Sequence, residues 1–409
     1  AIGVGCHGPA GGVHHKAGLV AARVDFPQLL DADAKALRVT AFVKPEFGDE
    51  LFAQVAPRAF SENRVLAQQF HAELEAVHRL AIFAHAHIAS GHTLDRAVVV
   101  VKYLSAGETR ENFHPQRLGL LGHYYNGMLD IYTDLTAQLA CFGGHMEILE
   151  VEELAAIRRS ISKASIESKL AEFREVFDIQ PDVSADELHR AAWTAAALDA
   201  LVEKHRLGSM AYYYMGTGSD ENEDVMTSVI LGNSLLTGRG IPVAGEYEVK
   251  NAQAMKIMDT FGVGGSFTEY YAADFREDIV LLGHDGPGHI QIASSKTKVR
   301  PLDVYHGKVG RGLSVEMSVR HGPVTLLSVI EGAHGRPQFL VAEGESVPGP
   351  ILQIGNTNSR YKFPIGARGF MEQWNAHGPA HHCAIGVGHI SGKLKKLAAL
   401  LGIDLQTVC

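Results

Sequence analysis

From Arg117 onward, short apolar runs alternate with stretches whose apolar residues recur at helical spacing, and this alternation constrains the fold more than any other feature of the chain. Strands separated by helical crossovers pair in parallel, with helices covering the sheet faces. Residues 117–122 read as a strand ending in a turn, 132–139 as a helix, 145–151 as a second strand and 157–177 as a helical stretch. Ser184 and Glu187 make a capping box ahead of Leu188, Ala191, Ala192, Ala195 and Leu198, which lie on one helical face, and Gly208 is the expected stop. Residues 209–215, with three tyrosines, then 241–243, supply further strands, separated by the polar loop 216–222 and a helix over 225–236. These elements predict a doubly wound α/β domain over residues 114–260. Ligand sites in such domains form beyond the carboxyl ends of the strands, where Tyr124, Asn126 and the 216–222 loop fall.

After residue 261 the pattern changes. Short β-rich runs at 279–282, 290–293, 315–319, 324–330 and 339–342 are separated by Gly and Pro turns, which predicts an antiparallel sheet or β-barrel over 261–409. A basic amphipathic helix over 391–401 closes it. Residues 1–113 are compatible with a further α/β unit, with strands at 38–43, 80–84 and 97–103 and a helix at 67–78.

A chain of 409 residues with 46% hydrophobic and 20% charged residues has the composition of a globular protein of two or three domains. Its net charge of −9 argues against a general phosphate-backbone binder, because nucleic-acid affinity rests on Lys and Arg. The apolar runs are strand-sized, far short of the roughly 20 residues that span a bilayer. Cys6, Cys141, Cys383 and Cys409 lie far apart with no Cys-x-x-Cys spacing, which favours a reducing, cytoplasmic setting over a disulfide framework or a thiolate zinc site. No glycine cluster matches a Walker loop or a dinucleotide fingerprint, so no nucleotide is expected.

Between Glu269 and His382 the chain gathers the residue types one open divalent-metal site needs. Glu269 follows a glycine-rich approach, Asp285 and His289 sit in Asp285-Gly286-Pro287-Gly288-His289, His306 follows a short strand, and His381-His382 form a pair. Two anionic oxygens and one or two neutral imidazoles hold a cation such as Mn²⁺ and leave positions for a substrate's hydroxyl and carbonyl oxygens. A carboxylate not fully engaged can then move a proton on the polarised substrate. Aldose–ketose isomerisation, epimerisation and retro-aldol cleavage all fit. Each residue has a plainer reading: Asp-Gly-Pro-Gly is ordinary turn chemistry, and 22 histidines cannot all be ligands. In an extended chain His381 and His382 point oppositely, so one of them is expected to face the metal.

Several segments resemble the L-arabinose isomerase and L-fucose isomerase superfamily, in particular its arabinose-isomerase-like branch. They are Gly122-His123-Tyr124-Tyr125-Asn126-Gly127-Met128-Leu129-Asp130, Gly283 to His289, Val304-Tyr305-His306-Gly307-Lys308, Val341-Ala342-Glu343-Gly344-Glu345-Ser346, Gln353 to Arg360, and Gly378 to Gly386. The resemblance implies flavodoxin-like α/β domains followed by a C-terminal antiparallel β-barrel, and a homo-oligomer, trimer or hexamer, acting on a small sugar with neither nucleic acid nor membrane as partner. It implies a Mn²⁺-dependent ketol isomerase working through a cis-enediol. Glu269, Asp285, His306 and His382 are then the metal ligands, with Glu269 and Asp285 also catalytic and His289, His381 and Tyr124 at the substrate. The enzyme alternative keeps the metal but is an epimerase or aldolase. The non-catalytic alternative is a sugar-binding or sensor protein on the same scaffold.

Overall fold

The computed structural model describes residues 117–216, 220–302, 312–332 and 335–409, together with the backbone of four further strands. Residues Ala1–Arg110 and Glu111–Cys409 form two compact units. In the first, β1 (Val20–Asp25) and β2 (Arg38–Val43) pair antiparallel, which places a strand where one was expected at 38–43. The elements expected at 67–78, 80–84 and 97–103 lie outside the described residues.

The second unit runs β3 (Arg117–Gly122), α1 (Leu135–Phe142), β4 (His145–Leu149), α2 (Val151–Ser160), α3 (Lys163–Val176), β5 (Asp178–Ile179), α4 (Ala185–His205), β6 (Ser209–Tyr213), α5 (Asp220–Met226), α6 (Ile230–Gly238), β7 (Val243–Ala244) and α7 (Val249–Thr260). β3, β4, β6 and β7 form a parallel sheet in the order β4-β3-β6-β7. The order reverses at β3, so the crevice beyond the carboxyl ends of β3 and β6 is a natural place for a ligand.

Local chemistry sets the helix ends. Ser184 Oγ accepts from the Glu187 amide at 3.1 Å, as the capping box predicts. Asp134 caps α1 through Thr136 and Ala137, and Ser162 caps α3. That last cap divides the stretch 157–177 into two helices, since Ile161 and Ser162 are extended. The helix expected at 225–236 is likewise divided, into α5 and α6. Arg190 fastens the break by donating to the Asp224 carbonyl at 2.7 Å and to Thr227 Oγ1 at 2.8 Å. Helix α4 ends on Arg206 in the left-handed region (φ 51°) rather than at Gly208.

The remainder comprises β8 (Ser266–Asp274), β9 (Ile279–His284), β10 (Lys298–Pro301), β11 (Val304–Tyr305), β12 (Lys308–Val309), β13 (Leu313–Glu316), β14 (Gly322–Glu331), β15 (Pro337–Val347), β16 (Thr357–Lys362), α8 (Gly366–Ala376), β17 (His382–Val387), α9 (Ser391–Leu401) and β18 (Leu405–Thr407). Residues 290–292, expected as a strand, form a 3-10 turn. A seven-stranded sheet has the order β14-β17-β8-β9-β16-β15-β18, with β14 also paired to β15. Six antiparallel pairings therefore return on themselves, and β18 adds in parallel to β15, making the sheet mixed rather than wholly antiparallel.

Helix α7 joins the two sheets. Ala252, Met255 and Met258 are fully buried among Leu118, Leu120 and Ala211 of the parallel sheet and Phe267, Leu327 and Ala384 of the mixed one. Gly265 lets this helix close up: a Cβ there would meet the Met255 carbonyl oxygen at 2.5 Å. Among the described residues no helix is long and apolar enough to cross a membrane. Truncating Met255 to Ala should lower unfolding free energy by roughly 2–5 kcal/mol, read as a shifted denaturant midpoint. An unchanged midpoint would show that α7 does not hold the sheets together.

Candidate metal centre

The chain leaves β7 through Gly245 and then places two non-glycine residues in the left-handed region, Glu246 (φ 57°) and Tyr247 (φ 63°). Each such residue costs roughly 1–2 kcal/mol, and backbone strain of this kind gathers where a side chain must be aimed. Tyr247 is anchored by burial and by its amide, which donates to the Tyr212 carbonyl at 2.9 Å. Glu246, 4% exposed, is thereby turned toward the start of β17. Gly245 is needed for close approach, because a Cβ there would lie 3.2 Å from the Phe267 ring.

Three imidazoles meet the Glu246 carboxylate. His382 Nε2 lies 3.4 Å and His381 Nε2 3.7 Å from Oε2, while His284 Nε2 lies 3.8 Å from Oε1. Both members of the His381-His382 pair face the site, against the expectation from an extended chain: β17 begins at His382, and His381 lies in the bend before it. Phe267 forms an apolar wall beneath, its ring 4.4 Å from those of His284 and His382.

The outer ring nitrogens are held as well. His382 Nδ1 is 2.6 Å from Glu248 Oε2, with both side chains buried. His381 Nδ1 is 2.6 Å from Asp130 Oδ2, which also accepts the His381 amide at 3.0 Å. Lys250 pins the same loop by donating to the Asp130 carbonyl at 2.6 Å. Carboxylates behind ligand histidines orient the rings and raise their basicity.

Burial raises the Glu248 carboxyl to about 8, against the lowering influence of Lys250 and His381. Burial also dominates at His382, with the neighbouring His284 adding to it, and keeps that ring well below the usual imidazole range. At His381 burial opposes protonation, but hydrogen bonds to Glu246 and Asp130 prevail and raise it to about 9. At Asp130 burial is likewise overcome, by the hydrogen bonds from His381, and the carboxyl is held low.

Glu246, His381 and His382 each offer an atom within 4.8 Å of the other two. His382 Nε2 is buried and makes no hydrogen bond. A buried imidazole nitrogen facing a carboxylate oxygen and another imidazole matches the donor chemistry of a divalent cation such as Mn²⁺ or Zn²⁺.

Of the residues singled out in the sequence, Glu269 lies on β8, not on a flexible approach, directly opposite His382 in the β8–β17 pairing. Asp285 Oδ1 stands 3.4 Å from His284 Nδ1. His306 lies outside the described residues. His289 is buried, its amide donating to Ser266 Oγ at 3.2 Å. Tyr124 packs its ring 4.9 Å from that of Tyr247, and burial pushes its phenol up to about 12.

Sequence reasoning missed Glu246, Glu248 and Asp130. The available signal was the pair of glutamates in Gly245-Glu246-Tyr247-Glu248 just beyond a strand predicted to end at the ligand-binding edge. It also missed Tyr271, the extra residue where the β8–β9 register shifts between Tyr270 and Ala272. Bulges re-aim side chains. Burial first, and then the charges of Glu269 and Asp285, raise the Tyr271 phenol, whose oxygen accepts from Asn356 at 3.1 Å.

No family model matches the chain, and no curated protein matches it.

A cation on the two Nε2 atoms requires both nitrogens to be free of protons, and it favours the ionised form of Glu248. With Glu248 at about 8 and His381 at about 9, cation uptake at pH 7 should release protons. Apparent affinity should therefore rise with pH up to that range and fall below it, by up to about tenfold per pH unit for each proton displaced. Calorimetric titration of Mn²⁺ in buffers of different ionisation enthalpy checks this; heats independent of buffer would contradict it. Glu246→Gln should weaken Mn²⁺ binding by roughly a hundredfold or more, measured by the free Mn²⁺ signal in electron paramagnetic resonance, if Oε2 is a ligand.

Proposed function

We propose that this chain is a divalent-cation-dependent sugar ketol isomerase, interconverting an aldose and its ketose by proton transfer through an enediol. The observation that carries the reading is a buried carboxylate facing two imidazoles already oriented by Glu248 and Asp130, with Glu269 on β8 and Asp285 just past the end of the adjoining β9. The resemblance to arabinose and fucose isomerases points the same way. The ring of antiparallel pairings is read as the C-terminal barrel that this resemblance implies, and the parallel sheet as its flavodoxin-like domain.

When bound, Mn²⁺ would polarise the hydroxyl and carbonyl oxygens of an open-chain sugar. Glu269 and Asp285 are assigned as the acid–base pair. One carboxylate takes the proton from C2 of the aldose as the electron pair forms the C1–C2 double bond, and returns it to C1. The other moves a proton between the two oxygens, so the sugar is isomerised with no net gain or loss of atoms or electrons. Glu246, His381 and His382 hold the cation, and Phe267 excludes water from behind the rings. A cavity of about 280 Å³ adjoins His381, beside Asp130 and Trp374, and offers volume on the scale of a small sugar. Cys383 and Cys409 are free thiols, which suits the cytoplasmic homo-oligomer proposed with this activity.

The first test strips the protein with chelator, restores Mn²⁺ and screens pentoses, hexoses and 6-deoxyhexoses in D₂O. Ketose formation with solvent deuterium at C1 or C2 supports the isomerase. Stereochemical inversion without ketose, or carbon–carbon cleavage, would instead give the epimerase or aldolase. Glu269→Gln should leave the fold and Mn²⁺ stoichiometry intact while lowering kcat at least about a hundredfold; undiminished turnover would remove Glu269 from the reaction.

A further inference from the structure

The hydrogen bonds on the outer nitrogens of the three imidazoles run in different senses. Asp130, whose carboxyl is held low, only accepts, so a neutral His381 carries its ring proton on Nδ1 and its lone pair on Nε2; Glu248 imposes the same tautomer on His382 once it is ionised. His284 is reversed. Its Nδ1 receives the Gly286 amide N–H at 2.9 Å, inside the tight turn after β9. Glycine admits this contact, because a Cβ at Gly286 would itself lie 2.9 Å from Nδ1. A neutral ring whose Nδ1 accepts carries its proton on Nε2, the nitrogen facing Glu246 Oε1 across 3.8 Å.

We propose that His284 is a positioning residue and not a metal ligand: its Nε2–H side faces Glu246 Oε1, biases that oxygen by charge–dipole attraction and leaves Oε2 for a cation bound by His381 and His382. This rests on the cation site described above and divides its imidazoles into two ligands and one donor. His284 is 2% exposed and wedged against Phe267, 4.4 Å between ring centroids, so the ring has little room to turn over. The two oxygens of Glu246 thus have different tasks. Asp285, 3.4 Å from His284 Nδ1, lies on the far side of the ring.

Ring-nitrogen NMR on the full chain labelled with ¹⁵N-histidine tests the proposal. The spectrum is taken metal-free at alkaline pH, where the ring is neutral, and again after loading with diamagnetic Zn²⁺; His284→Gln identifies the His284 signals. The expected result is unprotonated Nδ1 and protonated Nε2 for His284 in both spectra, with the Nε2 signals of His381 and His382 moving on loading. In parallel Zn²⁺ titrations, His284→Gln, which restores an N–H donor near Nε2, should stay within about threefold of the wild type. His284→Leu should lose about tenfold, the scale of an orienting partner, and His382→Gln more than a hundredfold. A His284 Nε2 signal that moves to the metal-bound position overturns the proposal. So does a His284→Gln variant as defective as His382→Gln. A wild-type chain that takes up no Zn²⁺ overturns the cation reading and this role for His284 with it, whereas a protonated Nδ1 in the metal-free spectrum refutes the tautomer alone.

Discussion

The packing of α7 between the two sheets is the constraint on which the rest of the second unit depends. Its apolar residues fill the space between the parallel and mixed sheets, and the chain must reverse sharply after β7 to enter it. That reversal carries Gly245, Glu246, Tyr247 and Glu248. One of the two glutamates approaches the open side of the imidazoles, and the other supports His382 from behind. Strain at Glu246 and Tyr247 is tolerated because the buried helix that follows leaves the chain no relaxed alternative.

The electrostatics follow from this arrangement. Five carboxylates gather around three histidines: Glu246 and Glu248 are buried, Glu269 and Asp285 half-buried, and Asp130 exposed at the edge. Burial sets the charge of Glu248 and His382, while His381 is held protonatable by neighbouring carboxylates. So much negative charge calls for a compensating positive one. Protons can supply it, and so could a divalent cation, and competition between the two would give a cation site here its pH dependence.

Much of the scaffold was legible in the sequence because apolar periodicity reports burial on one face. β3, α9 and the Ser184 cap stand where the pattern puts them. β16 was invisible for a physical reason: Thr357, Asn358, Ser359 and Arg360 are buried, but with hydrogen-bond partners, such as Ser359 Oγ accepting the Val319 amide, and hydropathy cannot show a polar strand in a core. β8 was hidden by the glycine run before it, which reads as loop. At the site, the sequence brought out Glu269, Asp285 and the histidine pair, which lie in recognisable local patterns. Glu246 has only the faint signal of paired glutamates beyond a strand end, and nothing in the sequence joins Asp130 to the histidine pair. Asp130 meets His381 across 251 residues of chain, and only the packing of the two sheets about α7 brings them together.

That long-range pair has a mechanical consequence. Asp130 belongs to the loop leaving the parallel sheet, and His381 to the entry of a strand in the mixed one, so the bond spans the seam between them. A slight slide of one layer on the other would turn the His381 ring away from Glu246 before it unfolded anything. A cation held there would make the site a gauge of how the layers sit: substitutions deep in the seam, far from any ligand atom, would register as lost affinity in a chain that is still folded.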